Sequence, residues 1–160
     1  MKRLFASRSG FTLIELIVTI GISLLAVGGL IVNYNNYNDN QRLKQAALTM
    51  KNNLRYAQTL AASSKKPTSG CTELVGYTVQ FTDSTYTVVA ECTEGAVGDA
   101  LSTALPSGIT FSPVPASFVY GVLTRGLLSS DAVTITMVGI VKSYRIQVST
   151  GGDINDLGFL

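Results

Sequence analysis

One long apolar segment constrains this chain more than any other feature. Residues 11–32 read FTLIELIVTIGISLLAVGGLIV, which is 22 residues with a single charge, Glu15. As a helix the segment would extend about 33 Å at 1.5 Å per residue, enough for a bilayer core of about 30 Å. The sequence therefore predicts a single-pass membrane anchor.

The charges around this segment predict its orientation. Residues 1–10 carry Lys2, Arg3 and Arg8 and no acid, while the rest of the chain has nine bases against ten acids. The positive-inside rule therefore keeps residues 1–10 in the cytoplasm and exports the remainder. A cleaved secretory signal peptide is the alternative, but its apolar core runs only about 7–15 residues and ends at a small-residue site. Residues 33–40, NYNNYNDN, offer no such site.

Residues 9–15, at the start of the apolar segment, read SGFTLIE. They resemble the processing site of type IV prepilins and pseudopilins, in which a membrane peptidase cuts after the Gly and methylates the new amine. The resemblance implies cleavage between Gly10 and Phe11, an N-methylated Phe11, and an assembly role for Glu15. The domains expected are a leader (1–10), a transmembrane and assembly helix (11–32), an amphipathic helix (33–66) and an exported β-rich part (67–160).

Glu15 has two interpretations. A carboxylate near the start of a spanning helix costs a few kcal/mol on insertion scales, so it is a functional candidate by default. It could instead sit hydrated at the membrane interface. The resemblance favours assembly, in which Glu15 of one subunit pairs with the amine of Phe11 on its neighbour. An unpaired charge is expensive in low dielectric, so such a pair would penalise wrong registers.

Beyond residue 32 the apolar pattern changes twice. Apolar residues recur every three or four positions, which indicates one face of an amphipathic helix: Leu43, Ala46, Ala47, Met50, Leu54, Ala57, Leu60 and Ala61. After the breakers Pro67 and Gly70, period-two patterns predict strands at 77–81, 85–90, 109–111, 118–123, 133–138 and 144–148. The predicted class is α+β, a type IV pilin-like fold with a long helix packed on a mostly antiparallel sheet.

The two cysteines flank the first predicted hairpin. The chain has an even number of cysteines, Cys71 and Cys92, and both lie in a domain predicted to be exported. This favours a disulfide between them. Two reduced, buried thiols are the alternative.

Two further stretches, ALPSGITF (104–111) and SYRIQVSTG (143–151), are similar to GspH/FimT-type pseudopilins and minor pilins. This resemblance implies a structural subunit of a type IV pilus or a type II secretion pseudopilus. The partners implied are other pilin or pseudopilin subunits, prepilin peptidase and the inner-membrane assembly platform. The implied location is the bacterial inner membrane and then the filament. A DNA-uptake or adhesive minor pilin is the alternative function.

Composition excludes several other classes. The chain has no His, which removes Ser-His-Asp and Cys-His catalytic arrangements and His-built zinc sites. It contains neither a phosphate loop nor a nucleophile elbow. A net charge of +2 is small for a nucleic-acid binder that works through bulk charge. We therefore expect no enzyme, no cofactor, no metal site and no nucleic-acid partner.

The remaining charged residues are interpreted as solvated. Paired carboxylates are conceivable in a predicted hydrated loop (Glu91, Glu94, Asp99) or a polar tail (Asp153, Asp156). The tail could also hold calcium through Asp153, Asn155 and Asp156, although their spacing is incomplete as a motif. Arg125, Lys142 and Arg145 could form a small basic patch, but bases at strand spacing are more often solvated faces.

Overall fold

The computed structural model describes residues 10–160, with the side chains of residues 27–33 left out, and confirms the α+β class with a long N-terminal helix. Helix α1 spans Leu13–Ala62. The strands that follow are β1 (Leu74–Phe81), β2 (Thr85–Cys92), β3 (Gly95–Ala104), β4 (Thr110–Phe111), β5 (Phe118–Gly121), β6 (Val133–Val138), β7 (Ser143–Val148) and β8 (Ile154–Phe159). The chain divides into two compact units, Met1–Tyr37 and Asn38–Leu160, which are described separately below.

Unit Asn38–Leu160 contains two antiparallel sheets. The first has the order β3-β2-β1-β5, and its β1–β2 hairpin is the one predicted from the strands at 77–81 and 85–90. The second has the order β4-β6-β7-β8. Strand β7 alternates buried and half-buried residues, with Tyr144, Ile146 and Val148 turned inward, as expected for a sheet with one face on the core.

The C-terminal half of α1 packs on these sheets through the face that its periodicity predicts. The positions three and four residues apart are buried: Leu43, Ala46, Ala47, Met50, Leu54, Ala57 and Ala61. They belong to one hydrophobic cluster together with Val79 and Tyr120 of the first sheet and Ile135 and Ile146 of the second. Burial of this apolar stripe stabilises the helix more than its propensity does.

Two polar side chains fix the packed C-terminal half of α1 to loops, one near each end of that half. Asp39 is 8% exposed, and its Oδ2 accepts the backbone N–H groups of Ile140 and Val141 at 3.2 Å each. Near the other end, Gln58 Nε2 donates to the carbonyl oxygens of Arg125 (2.5 Å) and Gly152 (3.0 Å). Asp39 and Gln58 are 19 residues apart in the chain, about 28 Å along a helix.

Two strands of the structure are absent from the sequence prediction. Strand β3 (GAVGDALSTA) and strand β8 (INDLGF) contain Gly, Asp and Asn, which are depleted in strands. They form because each adds to a preceding strand, β3 to β2 and β8 to β7. Asp99 therefore lies in β3 and not in a loop, and Asp156 lies in β8 and not in a tail. Glu91, also predicted in the loop, lies in β2.

The disulfide lies at the end of the first hairpin. Cys71 and Cys92 are joined with a Cα–Cα distance of 5.6 Å, and Cys92 is buried at the end of β2. The Glu94 carboxylate accepts the backbone N–H of Thr72 at 3.2 Å, so a polar contact accompanies the covalent link. Hydrogen bonding with Thr72 lowers the pKa of Glu94 from its usual value.

Loss of the disulfide is expected to destabilise unit Asn38–Leu160 by about 3 kcal/mol, because the bond closes a loop of moderate length in the unfolded chain. The measurement is denaturant unfolding of Cys71→Ala/Cys92→Ala beside the wild type in detergent. As a control, the wild type kept in reductant should unfold at the same midpoint as the double variant. Equal midpoints for the oxidised wild type and the double variant would contradict a stabilising bond.

Candidate functional site

A side-chain cap begins helix α1 at the predicted processing and assembly residues. Thr12 precedes the first helical residue, and its Oγ1 accepts the backbone N–H of Glu15 at 3.3 Å. In return, Glu15 Oε2 accepts the backbone N–H of Thr12 at 2.9 Å and the Thr12 hydroxyl at 2.8 Å. This reciprocal arrangement is a capping box, in which two helix-end donors are satisfied by side chains.

The cap gives Glu15 a role within its own chain that sequence reasoning missed. The signal was present, because Thr12-Leu13-Ile14-Glu15 has the T-x-x-E pattern of a capping box. A carboxylate can accept about four hydrogen bonds, so two donors from Thr12 leave capacity for another. The structure thus places Glu15 at the start of α1, one turn from Phe11, in an exposed position.

Gly10 and Phe11, the predicted cleavage pair, lie just before the cap. Phe11 is 84% exposed, and a Cβ built on Gly10 would meet nothing within 4 Å. An alanine therefore fits at Gly10 without disturbing the fold. The other residues of the predicted leader, 1–9, lie outside the described residues.

Within unit Met1–Tyr37, large apolar side chains are exposed all round the helix. Those more than half exposed between residues 11 and 26 are Phe11, Leu13, Ile14, Leu16, Ile17, Val18, Ile20, Ile22, Leu24 and Leu25. An apolar surface of this size marks a site that contacts a protein partner or lipid.

Across the residues that the structure describes, no helix combines the length and apolarity needed to cross a membrane. The predicted spanning segment, 11–32, includes residues 27–32, whose side chains lie outside the described part of the chain.

The acids considered as paired carboxylates do not share a partner. Glu91 accepts the hydroxyl of Thr78 at 2.8 Å, whereas Glu94 accepts the Thr72 N–H. Asp99 is exposed on β3. The structure therefore gives each of these carboxylates a different environment.

The C-terminal acids are not arranged as a cation site. Asp156 Oδ1 accepts the Tyr144 hydroxyl at 2.5 Å, and its Oδ2 lies 3.7 Å from Lys51 Nζ. Burial and the neighbouring Asp156 carboxylate raise the pKa of Tyr144 to about 12. Asp153 precedes β8 and donates its backbone N–H to the Ser149 hydroxyl at 2.9 Å. Among the side chains described, no group of three or more Cys, Asp or Glu could hold a metal ion.

Two of the three bases considered as a patch, Arg125 and Lys142, lie apart. The Arg125 carbonyl lies against Gln58, whereas Lys142 belongs to the β6–β7 turn that Asp39 holds near the other end of the packed helix. Arg145 is half-buried on β7. Clustered cations are what phosphate neutralisation requires, and Arg125 and Lys142 are not clustered.

Comparison with known proteins identifies the N-terminal segment. Residues 6–31 match the family described as the prokaryotic N-terminal methylation motif. Comparison with curated proteins gives no significant match. Comparison with solved structures gives none either. The motif supports a type IV pilin-like protein or pseudopilin, a structural class rather than an enzyme class. The narrower similarity to GspH/FimT-type subunits stays a prediction.

Proposed function

We propose that this chain is the precursor of a minor pilin or pseudopilin, a structural subunit of a type IV pilus or a type II secretion pseudopilus. The observation that carries the proposal is the methylation motif at residues 6–31, which encloses Gly10, Phe11 and Glu15. In this proposal prepilin peptidase cuts between Gly10 and Phe11 and methylates the new amine of Phe11. The apolar N-terminal helix then joins other subunits.

The proposed location is the bacterial inner membrane, with a single spanning helix at 11–32 and an exported C-terminal part. The bases of the leader support a cytoplasmic N-terminus. The Cys71–Cys92 disulfide supports export, because disulfides persist in oxidising compartments. From the membrane the subunit would pass, through the assembly platform, into the filament.

Glu15 is proposed to guide assembly from the capped position that the structure shows. Cleavage creates a positive amine at Phe11 in a layer with little water. A neighbouring subunit, staggered along the filament axis, can bring its Glu15 carboxylate to that amine. The Thr12 cap supports this role because it fixes the rotamer of Glu15 before a neighbour arrives.

Processing gives the direct test. In a host with prepilin peptidase, we expect mass spectrometry of the mature protein to find an N-terminus at Phe11 carrying one methyl group. Gly10→Ala should block cleavage or slow it severely. Because a Cβ at Gly10 meets nothing within 4 Å, that loss would reflect recognition by the peptidase and not misfolding.

Gly21→Ala is the matched control for the processing test. A Cβ at Gly21 also meets nothing within 4 Å, and the residue lies outside the cleavage pair. This variant should be cut and methylated like the wild type. An intact Met1 terminus in assembled wild-type protein would contradict the proposed function.

A further inference from the structure

The turn between β6 and β7 exposes two adjacent aliphatic side chains. Ile140 is 77% exposed and Val141 is 50% exposed, although both lie in a short turn closed by the Gly139 N–H to Lys142 carbonyl bond of 2.9 Å. Single exposed aliphatic residues are ordinary. Two together at a hairpin tip need a further explanation.

The turn is held in place by helix α1. The Asp39 carboxylate accepts the N–H groups of both Ile140 and Val141 at 3.2 Å. A Cβ on Gly139 would lie 3.2 Å from Asp39 Oδ2, so the turn approaches the carboxylate closely. The aliphatic pair is therefore presented on a fixed backbone.

Positive charge surrounds the aliphatic pair. Lys142 is the next residue and is exposed, and the exposed Arg42 donates from Nη2 to the Ser107 hydroxyl at 3.1 Å in the loop beside Ile140. We call Arg42, Ile140, Val141 and Lys142 the basal patch. The nearest acid, Asp39, is buried and turned toward backbone N–H groups.

Of the two C-terminal acids, Asp156 is engaged by the Tyr144 hydroxyl and by Lys51, and Asp153 lies toward the far end of the second sheet. Strand β8 runs antiparallel to β7, so Phe159 is opposite Tyr144, near the turn, and Ile154 is opposite Val148. Asp153 precedes Ile154 and is therefore distant from the turn. The turn therefore combines an exposed aliphatic pair with two cations, and apolar burial together with attraction to anionic headgroups is what holds a protein on a lipid surface.

Asp39, which holds the turn, lies only a short distance along the chain from the proposed spanning segment. Asp39 follows residue 32, the end of the proposed spanning segment, by seven residues, or about 10 Å of helix. Each headgroup layer is roughly 5–8 Å deep beyond the hydrocarbon core. Asp39 therefore lies at most about 2–5 Å past the headgroup layer, a gap that the exposed side chains of the turn it holds can span.

We propose that the basal patch rests on the anionic lipid surface while the subunit is anchored. Ile140 and Val141 enter the interfacial layer, and Lys142 and Arg42 face the phosphates. The inference rests on the proposed function, because it requires the N-terminal helix to be in the membrane. It adds a second membrane contact, which must be released when the subunit leaves the bilayer.

The chain contains no Trp, so one introduced Trp reports on a single place. The test uses full-length Ile140→Trp in vesicles of anionic phospholipid whose acyl chains carry bromine near the headgroup. Leu128→Trp is the matched control. Leu128 is 58% exposed and follows a loop in which the Leu123 N–H bonds the Ala61 carbonyl. Ala61 is 22 residues from Asp39, about 33 Å along the helix, so the control position is far from the turn that Asp39 holds.

We expect the emission of Ile140→Trp to shift to the blue and to be quenched by brominated lipid, while Leu128→Trp stays unquenched. Val141→Trp should behave like Ile140→Trp and serves if the first variant does not fold. Two results would overturn the lipid contact. One is that neither turn variant is quenched, even if its emission shifts to the blue. The other is that the control is quenched as strongly as the turn variants.

Flotation separates this inference from the proposed function. Protein that floats with the vesicles but shows no quenching of either turn variant would leave the anchor standing and remove the basal patch contact. Protein that does not float with vesicles would contradict the anchor itself, and with it the lipid contact.

Discussion

Replacing Gly152 with alanine is expected to lower the free energy of unfolding of unit Asn38–Leu160 by about 4 kcal/mol or more. Losses of this size are typical of substitutions that create a severe clash or break a buried hydrogen-bond network. Gly152 lies in the β7–β8 turn with φ of +89°, a conformation that favours glycine. A Cβ there would overlap the Arg125 carbonyl oxygen and the Gln58 amide. The Arg125 carbonyl is backbone and cannot rotate away, and a movement of the Gln58 side chain would break its hydrogen bonds to Arg125 and Gly152.

The measurement is denaturant unfolding in detergent, with Gly158→Ala as the matched control. Gly158 has a similar φ of +81°, but a Cβ there meets nothing within 4 Å. Its replacement should cost only the left-handed backbone penalty of about 1–2 kcal/mol. Equal losses at the two positions would show that backbone conformation alone, and not the junction at Gln58, accounts for the effect.

The helix and its packing face could be predicted because they depend on local periodicity. Positions from Leu43 to Ala61 recur at three and four residues, and these positions form the buried stripe. The β1–β2 hairpin could be predicted for the same reason, since its strands alternate around a short polar turn. In both cases the pattern and the intrinsic propensity agree.

Strands β3 and β8 could not be predicted because their partners form them. Gly95–Ala104 contains two glycines and an aspartate, and its residues are mostly exposed, so it carries little period-two signal. It pairs along β2 from Cys92 to Thr85, a partner that the sequence pattern does not specify. The contact of Gln58 with Arg125 and Gly152 is likewise long-range and has no local signature.

The candidate site also has a part that could be predicted from the sequence and a part that could not. Gly10, Phe11 and Glu15 are recognisable from a short contiguous pattern, which the methylation motif also covers. The hydrogen bonds of Glu15 depend on where the helix begins, and the prediction treated the segment as starting at Phe11. Placing the first helical residue at Leu13 turns Thr12 into a cap and Glu15 into its partner.

Two explanations for a carboxylate at Glu15 now compete. In one, Glu15 only completes the capping box with Thr12. In the other, it also supplies the negative charge that pairs with the amine of Phe11 on a neighbouring subunit. A glutamine can still accept hydrogen bonds from Thr12 but carries no charge. The two roles can therefore be separated by substitution.

We expect Glu15→Gln to reduce entry into the filament to near background while leaving membrane insertion and the fold of unit Asn38–Leu160 intact. Removing a charge from an apolar helix eases insertion, whereas the neighbour's amine loses its partner in a dry layer. Thr12→Ala is the control, because it removes the hydroxyl of the cap and keeps the charge, so it should assemble nearly as well as the wild type. The measurement is the amount of each variant in sheared filaments relative to membranes. If Glu15→Gln assembles normally and Thr12→Ala fails, then the cap, and not the charge, is what the filament requires.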